Sequence, residues 1–260
     1  MKTEETKLVL KKPEKAASRE TVIEITNLCK SFGTQEVLKN FSMKLYNGEN
    51  LVVLGKSGSG KSVLIKCIVG LLRADSGSIK VFNQDVTSLN MKDMDKVRQK
   101  IGFLFQSGAL YDSMTVKENL EFPLRRVKDH LKQKDIDAKT KEVLENVGLA
   151  DALDKMPSQL SGGMRKRISL ARTIVVDPMI ILYDEPTTGL DPVTSEEISL
   201  LINDVQKKYK ASSIIITHDI ECARTTANRI IMLQDGEVYA EGSMAEFEKS
   251  TDKVIEAFFK

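Results

Sequence analysis

The stretch LVVLGKSGSGKSVLIK, residues 51–66, joins an apolar strand to an apolar helix through a glycine-rich turn. The turn has the spacing GxxxxGK(S/T), formed by Gly55, Gly60, Lys61 and Ser62. Glycines let the backbone wrap around phosphate groups, so that successive N–H groups and the positive end of the helix face the anion. The stretch therefore predicts a phosphate-binding loop that follows a buried strand in an α/β fold.

Every residue of this loop is a candidate for binding a nucleotide: Gly55, Lys56, Ser57, Gly58, Ser59, Gly60, Lys61 and Ser62. In loops of this kind the lysine reaches the terminal phosphates, and the hydroxyl that follows it ligates Mg²⁺. We therefore predict that Lys61 is a catalytic residue and that Ser62 is a metal ligand. The loop by itself leaves kinases, GTPases and ATPases all open.

A pair of acidic residues narrows the choice of reaction. The apolar run 180–182 leads through Tyr183 into Asp184 and Glu185. Carboxylates at the C-terminal end of a strand lie where ligands bind in open α/β sheets. Asp184 is suited to hold the metal through a water, and Glu185 is suited to act as general base on an attacking water. A small-molecule kinase does not need a base that activates water, so this pair favours hydrolysis.

Composition and charge argue against several other classes of protein. The 260 residues carry 39 Lys and Arg against 37 Asp and Glu, and a net charge of +2 argues against nucleic acid as the main partner. Cys29, Cys67 and Cys222 are far apart, which argues against a zinc site or a disulfide framework and fits a reducing compartment. No uncharged apolar run approaches the roughly 18 residues of a membrane span.

The pattern of apolar residues divides the chain into parts. Residues 1–20 are predicted to be a charged, flexible tail, and residues 21–260 are predicted to be a single domain. Residues from about 89 to 165 are more polar than their surroundings and predict an inserted helical subdomain. Thr115 and Glu118 have the spacing of a capping box at the start of one of its helices.

The remaining segments predict a sheet core. Residues 41–54 predict antiparallel β structure around an Asn47-Gly48 turn, and Asp235-Gly236 predicts a second hairpin turn. Thr194 and Glu197 have the spacing of another capping box. Apolar strands that alternate with helices predict a mainly parallel sheet that is covered on both faces.

Further motifs occur in a recognisable order along the chain. After the phosphate loop come Gln106, behind the strand IGFLF, and then LSGGM (160–164), ILYDEP (181–186), TGLD (188–191) and ITHD (216–219). In this order the sequence resembles the ATP-binding cassette (ABC) ATPases over about residues 22–258. The resemblance implies a P-loop NTPase fold with an N-terminal antiparallel β subdomain and an inserted α-helical subdomain. It also implies an ATPase that uses ATP and Mg²⁺.

The resemblance gives a role to the turn formed by Ser161, Gly162 and Gly163, which contains no acid, base or strong nucleophile. In ABC ATPases two cassettes pack head to tail, and each such turn closes over ATP held by the other chain. The implied partner is therefore a second copy of this chain, with Asp191 reaching across the interface. Ser161 is suited to cap the helix that follows, whose N-terminal amides present positive potential to a γ-phosphate. Met164 stands where many relatives have glutamine, which affects that side chain's contacts but not the backbone donors.

The same resemblance assigns four further residues. Phe32 would stack on adenine, and Val37 would lie beside the ribose. Gln106 would sense Mg²⁺ and the attacking water, so it counts as both a catalytic residue and a metal ligand. His218 would contact the γ-phosphate.

Residues 103–125, FLFQSGALYDSMTVKENLEFPLR, resemble more specifically the ATPase subunits of MCE-type (Mla) phospholipid transporters. Those systems move lipid between the bacterial inner membrane and the outer envelope. The resemblance implies an integral-membrane permease and an MCE-domain lipid-binding protein as partners, on the cytoplasmic face of the inner membrane. A small regulatory subunit is left open, because the chain ends at Lys260 without the long tail that such a subunit grips in some relatives.

Two alternatives remain at this point. One is an ABC ATPase for another cargo, such as an amino acid or a lipoprotein. The other is a cassette without a transporter that acts on nucleic acid or ribosomes. The sequence argues against the second alternative, because relatives of that kind usually carry two cassettes or a long coiled-coil insert.

Overall fold

The computed structural model describes residues 8–9 and 19–259. Its strands are β1 (Leu8–Val9), β2 (Thr21–Phe32), β3 (Gln35–Tyr46), β4 (Asn50–Leu54), β5 (Ser76–Val81), β6 (Gln84–Asp85), β7 (Ile101–Leu104), β8 (Ile180–Asp184), β9 (Ser212–Thr217), β10 (Arg229–Gln234) and β11 (Glu237–Gly242). Its helices are α1 (Lys61–Ile68), α2 (Met91–Arg98), α3 (Val116–Val127), α4 (Gln133–Asn146), α5 (Gly162–Ile174), α6 (Pro192–Tyr209), α7 (Ile220–Thr226), α8 (Met244–Glu248) and α9 (Lys253–Phe259).

The predicted tail, residues 1–20, lies mostly outside the described residues. Of that segment, residues 8–9 form β1, which pairs in parallel with β11. The rest of the tail prediction stays untested.

The larger sheet has the strand order β1-β11-β10-β4-β9-β8-β7. The pairs β10–β4, β4–β9, β9–β8 and β8–β7 are parallel, and β10–β11 is antiparallel. Every residue of β4, β8 and β9 is buried, as expected for central strands with cover on both faces. The mainly parallel sheet is therefore confirmed, together with the hairpin around Asp235-Gly236.

Each face of this sheet contributes to a different hydrophobic core. Val52 and Tyr183 belong to the core that includes helices α3 to α7. Val53 and Leu182 belong to the core that includes α1, α2 and the smaller sheet. Because side chains of successive strand residues point to opposite faces, one apolar run serves both cores.

The smaller sheet is antiparallel, with the order β3-β2-β5-β6. Here the expectation for residues 41–54 is wrong in one respect: β4 does not pair with β3 but lies in the larger sheet, between β9 and β10. Side chains on both faces of β4 are buried, so this strand lies in the middle of a covered sheet. In β3 buried and exposed residues alternate, which fits a sheet with one covered face. Gly48, with φ +69°, turns the chain from one sheet to the other.

A buried ion pair ties the two sheets together. Arg229, at the start of β10, donates to both carboxylate oxygens of Glu49 at 2.8 Å, and it donates to the carbonyl of Lys44 in β3 at 2.6 Å. Arg229 is 6% exposed and Glu49 is 4% exposed. Since a buried charge without its partner is strongly destabilising, the pair holds β3 at a defined place against β10.

The segment predicted as a helical subdomain, residues 89–165, contains α2, α3 and α4, but it also contains β7, an edge strand of the larger sheet. The Thr115–Glu118 capping box at α3 is confirmed, because each side chain bonds the backbone N–H of the other. The box predicted at Thr194 is wrong: Asp191 is the N-cap of α6, and Thr194 lies within its first turn.

Candidate functional site

The glycines of the phosphate loop are required by their close contacts and their backbone angles. A Cβ atom on Gly55 would lie 2.6 Å from Oγ of Ser59 and 2.7 Å from the carbonyl of Leu233. Gly60 has φ +102°, and a Cβ atom there would lie 2.8 Å from the carbonyl of Val37. Gly58 has φ +81° with open space around it, so its conformation rather than its packing calls for glycine.

Lys61 is held inside the loop. Its Nζ donates to the carbonyls of Gly55 at 2.7 Å and Lys56 at 3.0 Å, and it lies 3.3 Å from Oε1 of Glu185. The residue is only 5% exposed. An ammonium group at this position is close enough to the N-terminus of α1 to bind a phosphate held there.

Asp184 and Ser62 form the candidate magnesium site. The Ser62 hydroxyl donates to Oδ1 of Asp184 at 3.0 Å, which joins the start of α1 to the end of β8. Burial raises the pKa of the Asp184 carboxyl and the charge of Glu185 raises it further, whereas the bond from Ser62 works in the opposite direction. A hydroxyl and one carboxylate suit Mg²⁺, which is usually bound by one or two carboxylates, by waters and by substrate phosphates. This donor set therefore fits the ion.

We expect the Asp184→Asn variant to unfold at a higher temperature than the wild type at neutral pH, and to lose Mg²⁺-dependent hydrolysis. The raised pKa means that the folded state disfavours the ionised carboxylate, and asparagine keeps an oxygen that accepts from Ser62 while removing that charge. This increase in unfolding temperature should become smaller as the pH falls towards the raised pKa of Asp184, because the aspartate side chain is then neutral, like asparagine. Thermal unfolding without nucleotide measures it, and the exposed Asp204→Asn is the control. A lower unfolding temperature than wild type would contradict the expectation.

Glu185 and His218 meet beside this pair. Nδ1 of His218 lies 2.8 Å from Oε2 of Glu185, and because a carboxylate only accepts hydrogen bonds, the ring nitrogen is the donor. The backbone N–H of His218 donates to the same oxygen at 3.3 Å. Glu185 has φ +49°, a left-handed conformation that costs a non-glycine residue about 1–3 kcal/mol. Such strain is typical of functional sites, where the surrounding structure holds it in place.

The Ser-Gly-Gly turn lies at the N-terminus of α5. Oγ of Ser161 accepts from the N–H of Met164 at 3.2 Å, so the predicted capping by Ser161 is present. Ser161 and Gly162 are exposed. A Cβ atom on Gly163 would lie 2.6 Å from Cγ2 of Thr194 in α6. Glycine at position 163 is therefore needed for packing within the chain, besides any approach to a ligand.

Three of the four remaining predicted residues are exposed, and Val37 is partly buried. Phe32 is 48% exposed at the end of β2, with Nζ of Lys30 at 5.3 Å from its ring centre. Val37 is partly buried and lies against Gly60, and the Gln106 side chain is exposed in the turn after β7. Asp191 is exposed, and its carboxylate accepts from the N–H and the hydroxyl of Thr194 at 3.0 and 2.6 Å. In this chain the Asp191 side chain caps α6, and its predicted place in a dimer interface stays a prediction.

Lys166, on α5, connects the turn after β7 with the turn after β8, although the sequence analysis did not single it out. Its Nζ donates to the backbone carbonyls of Gln106 at 2.6 Å and Glu185 at 3.3 Å. It stands between Arg165 and Arg167 in a cationic helix, and only the fold shows which of the three is buried. The sequence carried no signal for this contact.

One family pattern spans the segments of the site from the phosphate loop to Glu185. The pattern of the ABC transporter family matches residues 38–188, more than half of the chain. The chain belongs to the ABC transporter family. It therefore contains an ABC ATPase domain, and the expected fold class is confirmed.

Several members of the family are similar over most of this chain. The probable ribonucleotide transport ATP-binding protein mkl of Mycobacterium leprae (strain TN) is 42% identical over 213 residues, 81% of this chain and 60% of that protein. The methionine import ATP-binding protein MetN of Rhizobium johnstonii is 37% identical over 229 residues, 88% of this chain and 63% of that protein. Protein TRIGALACTOSYLDIACYLGLYCEROL 3, chloroplastic, of Arabidopsis thaliana is 34% identical over 255 residues, 92% of this chain and 73% of that protein. The chain thus spans about three fifths of the length of the bacterial relatives.

A solved structure of the family is also similar. The dimeric, post-hydrolysis ATP-binding cassette MJ0796 bound to ADP and Pi has a TM-score of 0.78 and 33% sequence identity. The match covers 85% of this chain and 98% of that one. That cassette is therefore similar in fold over its whole length.

Proposed function

We propose that this chain is the ATP-hydrolysing subunit of a membrane ABC transporter and works as a head-to-tail dimer around ATP. The observation that carries the proposal is the convergence of Lys61, Ser62, Asp184, Glu185 and His218 at one end of the central strands. The side chains proposed to bind phosphate, to hold the metal and to activate water thus lie together, and a separate helix N-terminus is exposed at Ser161.

The site suggests an order of events. A triphosphate entering the loop offers Lys61 phosphate oxygens in place of the carbonyls of Gly55 and Lys56. As Lys61 turns to the phosphates, Oε1 of Glu185 loses its cationic neighbour and becomes free to accept a proton from water. His218 keeps the other oxygen of Glu185 oriented, and its ring, 54% exposed, is available to a phosphate. Mg²⁺ held by Ser62 and Asp184 would neutralise negative charge on the phosphates, and Gln106 would help to place the ion and the water.

The second half of the reaction centre would come from another copy. The exposed N-terminus of α5, with Ser161, Gly162 and Gly163, would bind the γ-phosphate of ATP held by the partner, and Asp191 would lie at the same interface. The similar cassette MJ0796 is dimeric, which supports this arrangement. ATP would favour the closed dimer because it contacts both chains there and only one chain in the open form.

We expect the Lys61→Ala variant to bind ATP about tenfold to a hundredfold more weakly than the wild type. The reason is the loss of charge-assisted bonds to phosphate, each worth roughly 1.5–3 kcal/mol. Titration of a fluorescent ATP analogue measures the affinity, and the exposed Lys92→Ala variant, in α2, is the control. Unchanged affinity in Lys61→Ala would contradict the assignment of the phosphate loop.

The proposed cargo is a phospholipid, moved by a transporter of the MCE type. The proposal is supported by the resemblance of residues 103–125 and by the Arabidopsis relative, whose name contains that of a glycolipid, trigalactosyldiacylglycerol. Other relatives are named for ribonucleotide or methionine transport, so a ribonucleotide and an amino acid are the competing cargoes. In residues 19–259 we find no helix with the length and apolar character needed to cross a bilayer. The proposed partners are an integral-membrane permease, an MCE-domain protein and, in some systems, a small regulatory subunit, at the cytoplasmic face of the inner membrane.

Affinity purification of the tagged chain from its own membranes tests the cargo. We expect a permease and an MCE-domain protein to co-purify, with phospholipid identified by mass spectrometry. ATPase activity of this complex should rise with phospholipid and not with methionine. A complex without an MCE-domain protein, stimulated by methionine, would overturn the lipid proposal and leave the transporter proposal standing. A chain that purifies without a permease and binds nucleic acid in a salt-dependent way would overturn both.

A further inference from the structure

A buried lysine connects three segments that the proposed function uses separately. Lys166 lies in the second turn of α5 and is 8% exposed. Its Nζ donates to the carbonyl of Gln106, 60 positions earlier in the chain, and to the carbonyl of Glu185, 19 positions later. One ammonium group therefore holds the turn after β7 and the turn after β8 against the helix that begins at the Ser-Gly-Gly turn.

The neighbours of Lys166 show that this contact is specific. Arg165 donates to the carbonyl of Pro157 at 2.9 Å, and Arg167 pairs with Glu197 at 2.6 Å, so both side chains bind structure away from Glu185. Burial lowers the pKa of Lys166, while the charges of Asp184 and Glu185 raise it. A buried ammonium group is costly unless bonds and nearby charges compensate for it. Here two carbonyls and two carboxylates supply that compensation.

The bond from Lys166 to Glu185 matters for the proposed hydrolysis because it acts on the backbone of the proposed general base. Glu185 has a left-handed backbone, with φ +49°, and such a conformation persists only where its surroundings hold it. The backbone of Glu185 is held by hydrogen bonds on both sides of its Cα atom. Its N–H donates to the carbonyl of Ile216 at 3.0 Å. Its carbonyl accepts from Nζ of Lys166 at 3.3 Å and from the N–H of Thr188 at 3.3 Å. Of these contacts, the bond from Lys166 is the one made by a side chain, and it contributes to the direction of the Glu185 side chain.

We propose that Lys166 is a positioning residue for ATP hydrolysis, which sets the backbone of Gln106 and Glu185 from the helix that begins at the Ser-Gly-Gly turn. The proposal rests on the proposed function. Lys166 connects two parts of one chain that would act on different ATP molecules. The N-terminus of α5 would serve the partner's ATP, while Gln106 and Glu185 would serve the chain's own ATP. A displacement of α5 as it closes on the partner's nucleotide would therefore reach the general base through one side chain.

The test compares Lys166→Met with Lys166→Arg. Methionine keeps the length and apolar stem of the side chain but removes its donors, and arginine keeps donors for both carbonyls. We expect Lys166→Met to lower kcat about tenfold, from the usual effect of a lost hydrogen bond to a charged group, with ATP affinity of the separated chain within about twofold of wild type. Lys166→Arg should recover most of the rate. Should the methionine variant fail to fold, Lys166→Gln replaces it, because glutamine removes the charge and its amide nitrogen is one bond closer to the backbone than Nζ of lysine.

The control is Lys139→Met. Lys139 is a half-buried lysine on α4 that pairs with Asp177 at 2.7 Å and Glu142 at 3.2 Å, away from the reacting groups. Its loss should lower the unfolding temperature without changing kcat. A decrease in kcat of the same size in Lys139→Met would show general loosening and overturn the proposal.

Hydrogen exchange gives a readout that does not depend on ATPase activity. Amides of residues 106–109 and of Glu185, Thr187 and Thr188 should exchange faster in Lys166→Met than in the wild type, and not in Lys139→Met. Unchanged exchange and unchanged kcat in a folded Lys166→Met variant would overturn the positioning role. A wild-type protein that binds ATP but does not hydrolyse it would contradict the proposed function instead, and the exchange data would still decide the role of Lys166.

Discussion

Replacing Glu185 with glutamine is expected to lower the rate of ATP hydrolysis by about 10²-fold or more, the usual contribution of a general base. Glutamine has nearly the same shape but cannot accept a proton from water at neutral pH. ATP binding should be retained, because the phosphate loop, Lys61 and the Ser62–Asp184 pair are unchanged. Closed dimers should accumulate, since hydrolysis is the step that ends the closed state. Phosphate release and size-exclusion chromatography with ATP measure the two effects.

The matched control for Glu185→Gln is Glu221→Gln. Glu221 follows the ITHD motif, has a side chain that is 77% exposed and pairs with Arg224 on the surface. Its loss should change the rate of hydrolysis little, because exposed ion pairs contribute little. Glu185→Gln with the wild-type rate of hydrolysis would show that another group activates the water, and His218 would be the first to examine.

Replacing Ser161 with arginine is expected to stop turnover while leaving ATP binding by the separated chain nearly intact. Ser161 is exposed at the N-terminus of α5, so a large side chain there changes the surface rather than a core. The side chain would obstruct the N-terminal amides that are proposed to bind the partner's γ-phosphate, and it would remove the cap on Met164. ATP titration and the rate of phosphate release separate the two effects.

Mixing variants tests whether the site is shared between chains. In a dimer of one Ser161→Arg chain and one Lys61→Ala chain, one site combines an intact phosphate loop with an intact Ser-Gly-Gly turn, and the other site has neither. With random assembly of an equal mixture, about a quarter of the wild-type sites should be complete, whereas each variant alone has none. Normal turnover by Ser161→Arg alone would refute the shared site.

Some of these features could be predicted because they depend on short segments. The phosphate loop needs a strand, glycines at fixed positions and a helix start, and all of these lie within residues 51–66. The capping box at Thr115 and the hairpin turn at Asp235-Gly236 are likewise properties of a few adjacent residues. Local backbone geometry and hydrogen bonding determine such features, so the amino-acid order was enough to find them.

Features that depend on sheet order or burial could not be predicted in the same way. The apolar strand β4 was expected to pair with β3, its neighbour in sequence, but both of its faces are buried in the larger sheet. The Thr194–Glu197 spacing fitted a helix start, but Asp191 caps α6 three residues earlier, and Gly163 packs against Thr194. Several local patterns were possible at these places, and long-range packing selected one.

By itself, then, the sequence determined the phosphate-loop spacing and the order of motifs that place the chain in its family. The tertiary structure decided which groups lie together: Glu185 contacts Lys61 and His218, and Lys166 donates to the carbonyls of Gln106 and Glu185. The physical reason is distance along the chain. A motif is a local property of the backbone, whereas a buried charge finds its partners only when segments far apart in sequence exclude water together.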